Sequence, residues 1–424
     1  MIRFYNGEIL RFGGGAHIGQ GELWTEGDRI VHVGAAPAGE KPVFEREIDL
    51  KGNLLIPGFK NAHAHGAMTF ARSFADDLPL QEWLYGKILP LENGLDDEAV
   101  YALAKLSHLE SLSSGITSTF DMYYCRRAYA QSCVDSGFRS VICGAKSAFD
   151  SDWTDAERDF EEFNRFHPLV GYRYGIHAEY TANLDLIRYM RTLLEKYKAP
   201  FYAHNSETKS EVEECRARHG CSPTALFERE GLYEYGGGGF HCVWFDEGDM
   251  EIFARRGLYA VTCPGSNAKL ASGVAPLVEM HRLGIPLAIG TDGPASNNAL
   301  DMFREMYLAC VLQKLRQGDA AAMDAAWVLE MACCGGAMAM GLEDCRELEV
   351  GMQADLAVID LHQPNMQPVH NTVKNIVYSG SKSNVALTMV AGRVLFERGE
   401  FHLDESAEDI YAHARQAAGR LVGA

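Results

Sequence analysis

The chain has 424 residues, of which 47% are hydrophobic and 23% are charged, and this is the composition of an ordinary globular protein. Its formal net charge of −19 excludes most proteins that bind the phosphate backbone of nucleic acids, because those carry a basic surface. The length favours a large enzyme domain with a smaller companion.

The apolar runs and the cysteines of the sequence indicate where in the cell the protein is expected. No apolar run approaches the roughly 18–20 residues of a membrane-spanning helix, and no secretory leader pattern opens the sequence. The eleven cysteines show no Cys-x-x-Cys spacing of the zinc-finger kind. We therefore expect a cytoplasmic protein with reduced thiols and with no nucleic-acid or membrane partner.

The first 56 residues predict a small β unit. Short runs of strand-forming residues alternate here with turn-forming residues such as Gly13-Gly14-Gly15. The predicted strands are Met1–Phe4, Ile9–Phe12, Glu22–Trp24 and Ile30–Val33.

From Leu54 onwards the pattern becomes strand, loop and helix, repeated. The first helix is predicted from about Asp97 to Ser113, and helical stretches separate most of the later strands. Eight strands alternating with helices predict a parallel sheet closed into a TIM-type (β/α)8 barrel. The predicted strands are Leu54–Ile56, Ser118–Met122, Ser140–Gly144, Tyr172–His177, Pro200–His204, Gly239–Trp244, Tyr259–Cys263 and Pro286–Gly290.

After Gly351 the β pattern returns, with strands predicted at Ala354–Ile359, Val373–Tyr378, Val385–Val390 and Arg393–Phe396. We expect them to join the N-terminal strands, so that both ends of the chain build one small β-sandwich domain. The predicted divisions are 1–56 and 349–404 for the small domain, 57–348 for the catalytic barrel, and 405–424 for a terminal helix.

Metal-ligand side chains lie at the predicted strand ends, where a TIM-type barrel places its active site. His63 and His65 have the i, i+2 spacing that directs both imidazoles to one side of an extended chain. Each of the others also has an ordinary structural explanation, but their shared position favours a common metal site. They are His177, His204, His241 and Asp292.

Glu207 lies three residues after His204, where the strand turns into its loop. That spacing can present an imidazole and a free carboxylate to one cavity. A carboxylate that is close to a metal without binding it suits general acid–base catalysis. The alternative is that Glu207 only supplies negative charge at the start of the helix that follows.

Several motifs resemble the amidohydrolase superfamily and, within it, the methylthioadenosine/S-adenosylhomocysteine deaminases. They occur in the family's order and cover nearly the whole chain. The matching segments are Pro57–His65, Asp76–Leu84, His204 with Ser206–Thr208, His241–Val243, Cys263–Leu270, and Gly290–Gly293 with Ser296–Asn298. Ala354–Leu356 and Pro368–Tyr378 also resemble the family's second β segment.

The resemblance implies a hydrolytic deaminase with one divalent metal, zinc or sometimes iron. His63, His65, His204 and Asp292 would bind the metal, and metal-bound hydroxide would attack C6 of an adenine ring and release ammonia. Asp292 would accept the water proton, Glu207 would protonate the ring, and His241 would stabilise the attacking oxygen. A second, bridging metal is not expected, because no lysine lies near the end of strand four.

The resemblance also implies which residues contact the nucleoside. Glu82 would bind the ribose hydroxyls, His177 would line the pocket, and Trp83 would form an apolar wall. The substrate would be 5′-deoxyadenosine, methylthioadenosine, adenosine or S-adenosylhomocysteine, and the chain would assemble as a homodimer or homotetramer.

Three segments depart from the family pattern and leave the amine open. Glu179 stands where relatives usually have proline, and Lys146 lies where an arginine for a homocysteine carboxylate is expected. Gly236–Gly239 is either a flexible turn or a mobile loop. The alternatives are an aminohydrolase for another ring, such as 8-oxoguanine, guanine, cytosine or an s-triazine, and a non-catalytic metal-binding scaffold.

Overall fold

The computed structural model describes residues 1–39, 41–78 and 80–423. Pro79, which belongs to the motif at 76–84, and Ala424, the last residue of the predicted terminal segment, lie outside the described residues. None of the helices in these ranges is long and apolar enough to cross a membrane.

The strands of the described ranges fall into two sheets. In chain order they are β1 (Ile2–Phe12), β2 (Ala16–Glu26), β3 (Arg29–Gly34), β4 (Arg46–Asp49), β5 (Leu54–Pro57), β6 (Phe59–Ala64), β7 (Ile116–Asp121), β8 (Arg139–Cys143), β9 (Val170–Ala178), β10 (Phe201–Asn205), β11 (Gly237–His241), β12 (Tyr259–Thr262), β13 (Leu287–Ile289), β14 (Leu356–Ile359), β15 (Val385–Val390), β16 (Arg393–Glu397) and β17 (Glu400–Phe401).

Most of the α-helices alternate along the chain with strands β6 to β13. They are α1 (Leu80–Trp83), α2 (Leu89–Glu92), α3 (Asp97–Ser113), α4 (Arg126–Ser136), α5 (Asp155–Phe163), α6 (Leu184–Tyr197), α7 (Lys209–His219), α8 (Pro223–Arg229), α9 (Glu247–Arg256), α10 (Pro264–Lys269), α11 (Leu277–Arg282), α12 (Met302–Gln317), α13 (Ala325–Glu330), α14 (Gly336–Met340), α15 (Thr372–Tyr378) and α16 (Ala407–Val422).

Strands β6 to β13 form an eight-stranded parallel sheet in sequence order, and this confirms the TIM-type barrel. The two edge strands approach each other at their C-terminal ends. There the backbone N–H of Asp292 donates to the carbonyl of His63 at 2.9 Å. The side chain of Asn61 accepts from the N–H of Thr291 at 2.9 Å and donates to its hydroxyl at 2.7 Å.

The other strands, from both chain ends, form one continuous mixed sheet of nine strands. At its centre β5 pairs in parallel with β1 and antiparallel with β14, so the small domain is built from both ends as predicted. This sheet has its own apolar core, which includes Phe4, Leu55 and Met389. The division points at 56, 348 and 404 stay predictions.

Two strand predictions need correction, one in its sheet and the other in its type. Leu54–Ile56 belongs to the small domain, and the barrel begins only after Pro57 and Gly58, with β6. Val373–Tyr378 is helical, because Asn371 caps the helix by accepting the backbone N–H of Lys374 at 2.9 Å. Both segments are rich in leucine or β-branched residues. A short apolar run of this kind does not show which sheet a strand joins, or whether the segment is a strand or a helix.

A buried ion pair connects the barrel to the small domain. Arg139 of β8 donates to both oxygens of Asp355, at 2.7 and 3.1 Å, and both side chains are buried. Asp355 also accepts the backbone N–H of Ala391 at 2.7 Å. Burial alone would raise the pKa of Asp355, but the Arg139 guanidinium holds it below its ordinary value.

We expect Asp355→Asn to lower the free energy of unfolding by about 3–5 kcal/mol, because it leaves the Arg139 charge buried without its partner. Chemical denaturation measures this loss. The matched control is Arg127→Gln, which breaks a pair whose arginine is 72% exposed and should cost less than about 1 kcal/mol. Equal losses in the two variants would contradict the role of the buried pair.

Candidate active site and metal centre

The site residues lie at the C-terminal ends of the barrel strands. His63 is the last residue but one of β6, and His65 follows directly after that strand. His204 lies in β10, His241 is the final residue of β11, and Asp292 comes three residues after β13. All five side chains are buried.

Four of these residues converge as one group of ligand atoms. The Nε2 atoms of His63 and His65 lie 3.2 and 3.3 Å from Nε2 of His204. Asp292 Oδ1 lies 3.5 Å from Nε2 of His63 and 3.2 Å from Nε2 of His65. With Zn–N bonds of about 2.0–2.1 Å, neighbouring ligand atoms of one ion lie roughly 3.3 Å apart, so these four separations fit the coordination of a single cation.

The hydrogen-bond partners of the Nδ1 atoms determine the tautomers of His65 and His204. Nδ1 of His65 faces the carbonyl of Met122 at 2.6 Å, and Nδ1 of His204 faces the carbonyl of His177 at 2.7 Å. Each Nδ1 must therefore carry the proton, and each Nε2 presents a lone pair to the group. Lone pairs this close repel one another unless a proton or a cation lies between them, so the donor set fits a metal.

Asp292 uses its two oxygens differently. Oδ2 accepts the hydroxyls of Ser266 and Ser296, each at 2.6 Å, whereas Oδ1 faces the imidazoles. Burial would raise the pKa of Asp292, but the neighbouring imidazoles of His63 and His65 hold it well below its ordinary value. The carboxylate is therefore charged and fixed in orientation.

Glu207 and His241 lie beside this group. Glu207 Oε1 accepts the hydroxyl of Ser272 at 3.2 Å, and Oε2 lies 3.8 Å from Nε2 of His241. Nδ1 of His241 donates to the side-chain carbonyl of Asn267 at 2.8 Å. Burial raises the pKa of Glu207, and the charge of Asp292 raises it further while His241 opposes the shift. Glu207 is thus more readily protonated than an exposed glutamate.

The cavity above the group includes two of the three predicted nucleoside contacts. His177 and Trp83 line it, but Glu82 is exposed and does not belong to its lining. The indole Nε1 of Trp83 is buried and has no hydrogen-bond partner among the described residues. Trp83 thus lines the cavity while its buried N–H is unpaired among the described residues.

Glu92 lines the cavity and was missed by the sequence reasoning. Its Oε1 accepts the hydroxyl of Tyr123 at 2.7 Å, and burial raises its pKa to about 7. A helical segment runs continuously from α1 through a π-turn into α2, and on it Glu92 follows Leu84 and Ile88 at four-residue spacing. A carboxylate on an otherwise apolar helix face was the signal that could have identified it.

The three departures from the family pattern have structural explanations. Lys146 is buried in an ion pair with Asp155 and does not line the cavity. Glu179 is buried and pairs with Arg218 at 2.6 Å and with His219 at 3.1 Å, both near the end of α7.

The glycine run is part of the barrel, since Gly237–Gly239 lie in β11. A Cβ at Gly237 would collide with the backbone of Phe201, and one at Gly238 with that of Tyr259. Close packing against β10 and β12 therefore explains these glycines, and the flexible-turn prediction was wrong for residues 237–239.

Comparison with known proteins gives consistent matches along the whole chain. Residues 54–395 match the family model described as the Amidohydrolase family. A 5-methylthioadenosine/S-adenosylhomocysteine deaminase of Desulforudis audaxviator is 40% identical over 411 residues, 95% of each chain. A 5′-deoxyadenosine deaminase of Methanopyrus kandleri is 35% identical over 386 residues, 89% of each chain.

One example among the similar solved structures covers this chain completely. It is an adenosine deaminase from Xanthomonas campestris with bound zinc, which superposes with a TM-score of 0.93 at 32% identity and covers 100% of this chain and 99% of that chain.

We expect the purified protein to contain one divalent metal per chain, measured by elemental analysis. Loss of a residue that hydrogen-bonds to a metal ligand lowers metal affinity by about 10–100-fold. His65→Ala removes a ligand itself and should weaken metal binding by more than that. His177→Ala is the matched control, because its Nδ1 pairs with Thr181 and it offers no atom to the group. A His65 variant with full metal content would contradict the site.

Proposed function

Because the chain belongs to the Amidohydrolase family and is a hydrolytic deaminase of adenosine-type nucleosides, we propose a role in that reaction for each residue of the site. The observation that carries the proposal is the convergence of three imidazoles and Asp292 beside the protonatable carboxylate of Glu207. A non-catalytic scaffold has no use for such a carboxylate.

We propose that His63, His65, His204 and Asp292 hold one zinc ion. Zinc, when bound, polarises water and lowers its pKa towards neutrality. Zinc suits this donor set of three imidazoles and one carboxylate, and the similar Xanthomonas structure is described with bound zinc. Iron is the alternative metal.

The proton transfers fall to Glu207, His241 and Asp292. Glu207 donates its proton to the ring nitrogen beside the amino-bearing carbon, and this makes that carbon more electrophilic. Asp292 accepts a proton from the attacking water, and His241 donates a hydrogen bond to the oxygen that becomes negative. Asp292 passes the first water proton to the amino group, the carbon–nitrogen bond breaks and ammonia leaves. The remaining hydroxyl proton returns to Glu207 as the carbon becomes a carbonyl, so that an inosine-type product with a protonated ring nitrogen remains.

We propose that Glu92, rather than Glu82, binds the ribose hydroxyls. Glu92 faces the cavity, and Tyr123 fixes one of its oxygens, so the other can accept from a diol. Trp83 contributes an apolar face to the same wall. A buried acceptor left unpaired by a ligand without hydroxyls is costly, so this wall discriminates in favour of nucleosides.

We also propose that the 5′ substituent of the substrate carries no carboxylate. The described residues of the cavity lining include the acidic Glu92, Glu207 and Asp292 but no lysine or arginine. Lys146, the nearest sequence candidate for a cationic partner, is neutralised by Asp155. Methylthioadenosine, 5′-deoxyadenosine and adenosine therefore fit better than S-adenosylhomocysteine. Cytoplasmic location and assembly as a homodimer or homotetramer stay proposals.

A substrate panel tests this assignment through the release of ammonia. The value of kcat/KM for methylthioadenosine, 5′-deoxyadenosine or adenosine should exceed that for S-adenosylhomocysteine by at least about tenfold, because the homocysteine carboxylate finds no cation. Guanine, 8-oxoguanine, cytosine and an s-triazine complete the panel. Faster turnover of one of these rings would replace the nucleoside assignment, and equal turnover of S-adenosylhomocysteine would remove the charge argument.

Paired variants separate the two glutamates. Glu92→Gln should lower kcat/KM for the preferred nucleoside by about 10–100-fold, because an amide replaces one of the carboxylate oxygens, whereas Glu82→Gln should change it by less than about threefold. With a 2′,3′-dideoxy analogue, Glu92→Gln should cause little further loss, since there is no diol to bind. The reverse pattern would return the ribose contact to Glu82.

A further inference from the structure

A second carboxylate lies directly behind Glu207. Glu211 is in the first turn of α7, is 4% exposed, and faces the loop that connects β10 to this helix. Its Oε1 accepts the backbone N–H of Ser206 at 2.9 Å, and its Oε2 accepts the backbone N–H of Glu207 at 2.8 Å. The side chain therefore binds the main chain of the residue that we propose as the proton donor.

These bonds go beyond ordinary helix capping. In a capping box the glutamate at this position bonds the N–H of the cap residue, which here is Thr208. That bond is the longest of the set, at 3.4 Å, whereas the two shorter bonds go to the residues before the cap. The Glu211 carboxylate therefore binds the loop residues Ser206 and Glu207 more closely than it binds the end of the helix.

The loop needs such support because its backbone is strained. Ser206 has φ of +53°, in the left-handed region that a serine adopts only when its surroundings impose it. Its carbonyl accepts the N–H of Trp244 at 2.8 Å, so both sides of this peptide are held. The conformation places the Glu207 side chain between Ser272 and His241.

The backbone N–H groups of Ser206 and Glu207 and the N-terminus of α7 stabilise the charged form of Glu211. A glutamine in its place would keep one acceptor oxygen but would turn an amide NH2 towards a backbone N–H. Donor would then face donor, and one of the two loop contacts would be lost.

We propose that Glu211 is a positioning residue for the reaction, which fixes the backbone of Ser206 and Glu207 and thereby the direction of the Glu207 carboxylate. The inference rests on the proposed function of Glu207 as the proton donor. It assigns to Glu211 an effect on turnover that a helix cap alone does not have.

Three single variants and one double variant of the metal-loaded full chain test the proposal. Glu211→Gln should lower kcat by at least about tenfold with KM changed less than about threefold and metal content unchanged, because substrate and metal contacts remain. Thr208→Ala is the matched control, since its hydroxyl accepts the N–H of Glu211 at 3.2 Å and caps the same helix. It should reduce thermal stability but leave kcat within about twofold.

The double variant shows whether Glu211 acts through Glu207. Glu207→Gln should lower kcat by about 10²–10⁴-fold with metal retained, and adding Glu211→Gln should lower it no further. Additive losses would overturn the positioning role, as would an equal fall of kcat in Thr208→Ala. If Glu211→Gln does not fold, Glu211→Asp keeps the charge but shortens the reach, and unchanged kcat in that variant would also overturn it.

The same experiment separates the two levels of the proposal. Full activity of Glu207→Gln would refute the proton-donor role and the positioning role together. Loss of activity in Glu207→Gln with normal kcat in Glu211→Gln would refute only the positioning role.

Discussion

The site depends on the closure of the barrel between its first and last strands. The N–H of Asp292 donates to the carbonyl of His63, and Asn61 binds Thr291 through both atoms of its amide. Gly290 permits this approach, because a Cβ there would lie 2.7 Å from the backbone N of His63. These contacts hold the carboxylate of Asp292 next to the imidazoles of His63 and His65, which are more than two hundred residues away in sequence.

Buried carboxylates then hold the loops that leave the strands. Asp121 accepts the N–H of Gly66, Glu211 that of Glu207, and Glu305 that of Gly265. Burial raises the pKa of each of the three acids to about 7, while the backbone bonds favour the charged form. Each of these acids lies behind the cavity lining, so the loops next to His65, Glu207 and Asp292 are fixed from outside the cavity.

Sequence reasoning performed best where chemistry and local pattern coincide. The i, i+2 spacing of His63 and His65 sufficed because a strand directs both side chains to one face. It performed worst in short apolar runs. The segment at Leu54–Ile56 has the residues of a buried strand in either sheet, and only its pairing with β1 and β14 decides which one it joins.

The sequence by itself predicted the barrel and a metal site at its strand ends, because strand ends in a parallel barrel meet on one face. The family motifs in the sequence then singled out His63, His65, His204 and Asp292, which do converge, and the kind of reaction they support. Only the tertiary structure decided which glutamate faces the substrate cavity and whether Lys146 carries a free charge. Both depend on contacts with distant segments, Tyr123 for Glu92 and Asp155 for Lys146. Residue type and local spacing do not encode such contacts.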